Sequence, residues 1–310
     1  MRIVFCASQT EPGRWIEGLQ RLLPDATIVN FDPGERDPAP ADYAVVWAPP
    51  AALFEYQRHL KAIFNLGAGM DALLSLPNVP KDLPLIRLGD AGMSVQMAEY
   101  VCHAIVRYAR ELDTFESDLK AGTWSFRKPT LRSHYPVGVM GLGVIGARVA
   151  QSVASFEYPV SGWSRSPRSV AGVECFHGAA ALDSFLRAVR ILVCVLPLTP
   201  ETDSILNREN LSKLRPGGYL INVARGAHLV ETDLLALLDS GHLAGATLDV
   251  FREEPLPAQH PFWNHPKITM TPHIAARTLR DLTLAQIAGK IARLEQGESV
   301  QGMVDLQRGY

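Results

Sequence analysis

The chain has 310 residues, 47% hydrophobic and 20% charged, a globular composition long enough for two domains of about 100–200 residues each. Lysines and arginines number 30 against 32 acids, a net charge of -2, which excludes the strongly basic surface that nucleic acid or an anionic membrane would call for. The four cysteines (Cys6, Cys102, Cys175, Cys194) are scattered without a C-x-x-C pair, so neither a metal site nor a disulfide framework is expected; with no signal-peptide pattern at Arg2–Cys6 and no apolar run of spanning length, the expected location is the cytoplasm.

Short strands are expected at 2–6, 26–31 and 43–48, separated by a helix-period segment at 14–23 and a loop at 33–40. The third ends on Trp47-Ala-Pro-Pro50; a helical stretch, 53–60, then leads to a strand at 62–66. That strand runs into Gly67-Ala-Gly-Met-Asp71, two glycines at a strand's carboxyl end, where α/β sheets place ligands; an ordinary strand-to-helix turn reads the same way. One more strand is expected at 85–88. Helical apolar spacing follows from Met97 to Leu112 and continues through 113–120, before an extended arm, Gly122-Thr-Trp-Ser-Phe126, and a basic loop at 127–132. The apolar side of this helix and arm suits either burial within one subunit or a dimer contact.

The centre of the chain is Pro136-Val-Gly-Val-Met-Gly-Leu-Gly-Val-Ile-Gly-Ala-Arg-Val-Ala150. An apolar strand, 137–140, meets a helix starting at Val144, with Gly141, Gly143 and Gly146 in G-x-G-x-x-G spacing between and into them, the dinucleotide fingerprint in its required context. Gly141 permits the tight turn, Gly143 removes a Cβ that would block a pyrophosphate, and Gly146 lets helix and sheet approach. The helix-start amides around Leu142, Val144 and Ile145 then face the anion. Strands follow at 160–163, 191–196, 219–223, 245–249 and 268–271, alternating with helices near 182–188, 207–213, 231–240 and 275–295, the pattern of a parallel doubly wound sheet. Where a carboxylate would hold the ribose diol of NAD, the second strand ends Gly162-Trp-Ser-Arg-Ser-Pro-Arg168. Ser164, Arg165 and Ser166, with Arg168 nearby, suit a 2′-phosphate, so NADP(H) is expected in preference to NAD(H), with NAD possible.

Three later strand ends place polar residues in apolar surroundings: Leu220-Ile-Asn-Val-Ala-Arg-Gly226, Leu248-Asp-Val-Phe-Arg-Glu-Glu-Pro255 and Ile268-Thr-Met-Thr-Pro-His-Ile-Ala-Ala276. Each alone has an ordinary structural reading, as a salt bridge, a loop acid or a helix cap. All fall on the same sheet edge as the glycine loop. Together with Pro197-Leu-Thr-Pro-Glu-Thr202, these segments make the chain similar, over nearly its whole length, to the D-isomer-specific 2-hydroxyacid dehydrogenase family. Trp47-Ala-Pro-Pro50, Gly67-Ala-Gly-Met-Asp71, Trp163-Ser-Arg165 and the closing Arg308-Gly-Tyr310 resemble its glyoxylate/hydroxypyruvate reductase A branch.

The resemblance implies two Rossmann-like α/β domains with the active site in the cleft between them: residues 1–90 plus 283–310 as a flavodoxin-like substrate domain, and 91–282, with the 93–132 helix and arm, as the NAD(P)-binding domain. It implies hydride transfer to a 2-oxo acid, with His273 protonating the carbonyl oxygen, Glu254 beside it stabilising the imidazolium, and Arg225 binding the carboxylate. Amides around Gly69 and Met70 would also hold that carboxylate; Asp249 would orient the nicotinamide carboxamide, Leu196 and Pro197 would flank the ring, and Thr202 and Ala224 would line the cofactor site. Trp47 and Trp124 would line a small substrate pocket, Trp124 from a partner subunit of a homodimer, and core burial is the alternative for each. Arg277 is either a second carboxylate contact or a solvated arginine, Glu253 is a bystander, and Asp90-Ala-Gly-Met-Ser94 departs from the asparagine-containing form common in the family. The expected activity is NADPH-dependent reduction of glyoxylate and hydroxypyruvate to glycolate and D-glycerate, the alternatives being bulkier 2-oxo acids such as phenylpyruvate, or a non-catalytic dinucleotide-responsive binding protein.

Overall fold

Alternating residues of each strand divide between two apolar layers, which is why so many strands read as unbroken hydrophobic runs. In the first strand, β1 (Arg2–Ala7), Ile3 and Phe5 join one buried cluster while Val4 and Cys6 join another on the opposite face. The computed structural model describes residues 1–8, 11–34 and 39–306, so Arg308-Gly-Tyr310 lies outside the described residues. It divides the chain into two compact units, Met1–Met93 with the C-terminal segment from Arg277, and Ser94–Ala276.

The first unit holds β1, β2 (Thr27–Asn30), β3 (Tyr43–Trp47), β4 (Ala62–Asn65) and β5 (Leu85–Ile86), all parallel, in the order β2-β1-β3-β4-β5. Helix α1 (Pro12–Leu22) covers one face; α2 (Ala52–Tyr56) and α3 (Asp71–Leu74) cover the other. The chain returns to this unit for its last helix, which packs beside α1: a Cβ on Gly18 would stand 2.4 Å from Leu284 Cδ1. Leu284, Ile287 and Ile291 of that helix are buried in the cluster with Ile3, Phe5 and Leu19, each contributing roughly 1.5–3 kcal/mol.

The second unit begins with α4 (Met93–Ala109) and α5 (Leu112–Lys120), followed by the arm. Then come β6 (Val137–Met140), α6 (Val144–Ser155), β7 (Val160–Ser164), β8 (Glu174–His177), α7 (Leu182–Ala188), β9 (Ile191–Cys194), α8 (Arg208–Leu211), β10 (Gly218–Asn222), α9 (Glu231–Asp239), β11 (Leu243–Leu248) and β12 (Ile268–Met270). Seven parallel strands run in the order β12-β11-β10-β9-β6-β7-β8. The order reverses between β6 and β9, so this is a doubly wound sheet whose switch point lies beside the glycine loop.

Four expectations from sequence need correction. The helix expected over 53–60 stops at Tyr56, because Gln57 leaves helical geometry and its buried side chain accepts from the Ala41 amide at 2.8 Å. The 97–120 run is two helices broken at Glu111, which takes φ 53; across the bend Arg107 pairs with both carboxylate oxygens of Glu116 at 2.7 and 2.9 Å. The last helix, α10 (Arg280–Glu295), starts at 280 instead of 275, since the amides of Ile274 and Ala275 bond to the Asp249 carboxylate. Strand β8, half-exposed at the sheet edge, has no sequence counterpart in the expected elements. Among the described residues no helix is long and apolar enough to cross a membrane.

Candidate active site

In a parallel sheet every strand delivers its carboxyl end to one edge, and here the chemistry-bearing residues of the second unit follow β6, β7, β9, β10, β11 and β12. The glycine loop after β6 fits an anion. Gly141 takes φ 102 and a Cβ built on it would stand 2.7 Å from the Val195 carbonyl oxygen, while a Cβ on Gly146 would stand 1.7 Å from the Gly141 oxygen. Gly143, the N-cap of α6, has nothing within 4 Å of a built Cβ and no capping side chain, so the first amides of a twelve-residue helix have no side-chain acceptor. Val144 beside it is 67% exposed, whereas Leu142 is buried and Ile145 half-buried in the core.

Two loops flank this one. After β7, Ser164 is buried and its hydroxyl donates to the Ser166 carbonyl at 2.9 Å, so it shapes the turn, while Arg165 and Ser166 are exposed. After β9 come Leu196, buried, and Pro197, whose carbonyl accepts from the Thr202 hydroxyl at 2.7 Å; Thr202 Oγ1 in turn accepts from the Thr199 amide at 2.8 Å. Thr202 therefore closes the 197–202 turn.

The segment after β10 is built from within. Asn222, fully buried, donates to the Arg225 carbonyl at 3.0 Å and accepts from the Ala224 amide at 3.2 Å, forming the tight turn that ends in Arg225. Ala224 is buried; Arg225 is half-buried and its Nη1 donates to the Ala224 carbonyl at 2.8 Å. A Cβ on Gly226 would lie 1.9 Å from the carbonyl carbon of Phe251, so the Arg225 turn presses directly on the segment after β11. Arg252 fastens the two, its Nε donating to the Leu229 carbonyl at 2.9 Å and its Nη2 to the Ala227 carbonyl at 2.8 Å.

That second segment carries Glu254, whose Oε1 accepts from the Phe251 amide at 2.9 Å and whose Oε2 lies 2.8 Å from His273 Nδ1. Both side chains are partly exposed, 36% and 44%, leaving the imidazole reachable. His273 takes the left-handed φ of 54, a conformation that costs a non-glycine residue roughly 1–2 kcal/mol. Asp249 offsets it: this carboxylate, 1% exposed, accepts from the Thr271 hydroxyl and from the amides of Ile274 and Ala275 at 2.8 Å each, while the His273 amide donates to the Asp249 carbonyl at 2.8 Å. Glu253 is exposed on the loop. Among the described residues no cluster of three His, Cys, Asp or Glu is placed to hold a metal ion.

The family model described as D-isomer specific 2-hydroxyacid dehydrogenase, NAD binding domain, matches residues 102–275. The chain belongs to this family. It is an NAD(P)-dependent oxidoreductase of the 2-hydroxyacid dehydrogenase, or 2-oxoacid reductase, type. It is 43% identical to a glyoxylate/hydroxypyruvate reductase A of Yersinia enterocolitica and 45% identical to that of Serratia proteamaculans, in each case over all of both chains. Among solved structures it resembles a D-isomer specific 2-hydroxyacid dehydrogenase of Xanthobacter autotrophicus in complex with NADPH and MES, with 42% identity, a TM-score of 0.95, and 100% of this chain and 99% of that one covered. A NADPH-dependent glyoxylate/hydroxypyruvate reductase of Sinorhizobium meliloti in complex with NADP and sulfate gives 36% identity and a TM-score of 0.93, over 100% and 99% of the two chains.

In the other unit of this dehydrogenase, Trp47 ends β3 and lies against Gly67, where a Cβ would meet its ring at 2.2 Å. The buried Asn65 at the end of β4 donates to the carbonyls of Gly67 and Gly69 at 3.2 and 2.8 Å, so this loop too is held from behind. Met70 is buried and Gly69 half-buried. Trp124 is 92% exposed on the arm, and Arg277 is exposed. Sequence reasoning passed over Asn65, Asn222 as a scaffold, His228 and Arg252. A polar residue closing an apolar strand, as Asn65 and Asn222 do, was the one available signal.

Proposed function

We propose that the chain reduces small 2-oxo acids with NADPH, glyoxylate and hydroxypyruvate first, giving glycolate and D-glycerate. The observation that carries this reading is the Glu254–His273 pair standing on the segment against which the Arg225 turn packs. A bound nicotinamide supplies the hydride. The chain's own groups manage the charge: negative charge develops on the carbonyl oxygen, and His273 Nε2, on the ring edge away from Glu254, donates the proton. Glu254 fixes the ring through Nδ1 and stabilises its cationic form. The Arg225 guanidinium holds the carboxylate and polarises the carbonyl, with the Gly69 and Met70 amides as further donors.

For the cofactor, Gly141, Leu142, Gly143, Val144, Ile145 and Gly146 would cradle the pyrophosphate; Leu196, Pro197, Thr202 and Ala224 would line the nicotinamide end. Asp249, held by the amides of Ile274 and Ala275, would orient the carboxamide. Arg165 and Ser166, exposed on the loop after β7, favour the 2′-phosphate, and the NADPH and NADP named with the two solved relatives support the same preference. The names of the curated relatives support the two small acids. The bulk of Trp47 is in keeping with a small substrate. The exposed Trp124, Phe126 and Leu131 of the arm suit a homodimer in which Trp124 reaches the partner's site, and the near-neutral charge with four free cysteines suits the cytoplasm.

Steady-state kcat/KM with glyoxylate, hydroxypyruvate and phenylpyruvate, each with NADPH and NADH, tests the reading. The expected order is the two small acids over phenylpyruvate and NADPH over NADH by at least about tenfold, the worth of one charge-assisted hydrogen bond. Faster phenylpyruvate turnover would assign the site to bulkier acids, and NADPH binding without turnover would leave only a binding protein.

A further inference from the structure

We propose that His228 is a positioning residue for this reaction: its neutral imidazole, carrying the proton on Nε2, ties the backbone of Arg225 to the carbonyl of Pro197. The substrate-binding guanidinium is thereby held in register with the segment that flanks the nicotinamide. The inference rests on the roles given above to Arg225 and Pro197.

His228 closes the 3-10 turn Gly226–His228 after β10 and is 0% exposed. Its Nδ1 lies 3.2 Å from the Arg225 amide nitrogen, and its Nε2 lies 3.3 Å from the Pro197 carbonyl oxygen, which belongs to the turn after β9. A carbonyl can only accept, so Nε2 carries the hydrogen; an amide N–H can only donate, so Nδ1 is the acceptor. Nδ1 also lies 3.0 Å from the Arg225 carbonyl, but that oxygen already receives the Asn222 side chain at 3.0 Å and the His228 amide at 3.2 Å. Its two lone pairs are therefore served, and the Nε2–H tautomer leaves neither the Arg225 amide nor the Pro197 oxygen without a partner. The opposite tautomer leaves the Arg225 amide without its acceptor and sets a lone pair against the Pro197 oxygen. The backbone of His228 is itself pinned, its carbonyl accepting from the Leu206 amide at 2.8 Å. Burial pushes the imidazole toward its neutral form, as the bridge requires.

The two halves of the bridge separate by substitution. In His228→Asn the amide oxygen takes the place of Nδ1, keeping the Arg225 contact and losing Pro197; in His228→Gln the amide nitrogen takes the place of Nε2, with the reverse outcome. On the full-length enzyme, kcat and KM for glyoxylate and the Kd for NADPH are measured for the wild type, both variants and His228→Leu. His228→Asn is expected to keep KM for glyoxylate within about threefold while NADPH binding weakens by about tenfold, and His228→Gln to show the reverse split. His228→Leu is expected to lose both. A merely structural residue would lower the melting temperature in all three without this split, and wild-type constants in all three, or equal losses in the Asn and Gln variants, would overturn the proposal. ¹⁵N NMR of the wild-type imidazole is an independent readout if a variant does not fold: Nε2–H at neutral pH is expected, and an Nδ1–H or charged ring contradicts the bridge. Wild type without turnover would refute the reading of the site and this inference with it, whereas turnover with unchanged variants refutes the inference alone.

Discussion

Glu254 is held at both ends, by the Phe251 amide on Oε1 and by His273 Nδ1 on Oε2, so its charge, not merely its shape, distinguishes it from glutamine. Glu254→Gln can keep the Phe251 contact yet cannot stabilise an imidazolium. Its kcat for glyoxylate is expected to fall by about 10²–10³, the range of a lost general-acid arrangement, with little change in melting temperature; an unchanged kcat would remove Glu254 from the chemistry. Arg165, proposed to read the 2′-phosphate, would act on a different constant. Arg165→Ala is expected to raise KM for NADPH by about tenfold or more and leave KM for NADH nearly unchanged, so a parallel rise in both would show that Arg165 does not read the 2′-phosphate.

Two glycines separate packing from binding at the level of elements. A Cβ on Gly226 would overlap the Phe251 backbone, which cannot yield as a side chain end can, whereas one on Gly143 meets no protein atom. Gly226→Ala is expected to lower stability by roughly 1–3 kcal/mol or more together with activity, and Gly143→Ala to melt like the wild type while losing NADPH affinity; thermal melts and cofactor titrations of the two decide it. Strands buried on both faces, such as Ile191–Cys194, were legible because each of their residues is apolar, and Arg225, Asp249 and His273 because a polar group closes or follows such a run. The edge strand β8 was not legible, since Glu174-Cys-Phe-His177 has the exposure of a loop. The break at Glu111 and the late start of α10 were hidden for a related reason: side-chain partners outside the local window, Glu116 for Arg107 and Asp249 for the amides of 274 and 275, overrode helical spacing. His228 and Arg252 left no sequence signal because their partners are backbone atoms that only the fold brings to them.

The stability of the whole molecule should carry the imprint of His228. Burial, and the nearby Arg225 cation, depress its folded-state pKa, with Asp203 and the Pro197 and Arg225 carbonyl oxygens opposing. An unfolded histidine titrates near about 6.5, so below that pH the unfolded chain binds a proton that the native chain does not, and the stabilisation present above it is lost as pH falls. Wild-type unfolding free energy is therefore expected to drop from neutral pH into mild acid more steeply than that of His228→Gln; parallel curves would show that this histidine is not held neutral. In the proposed mechanism the activity rests on Arg225, Glu254 and His273 acting on a 2-oxo acid, and the most direct test is NADPH oxidation with glyoxylate by the wild type and by His273→Ala. The account predicts rapid turnover by the wild type and a loss of about 10²-fold or more in kcat in the variant with NADPH affinity intact. Equal turnover by both, or none by the wild type, would contradict it.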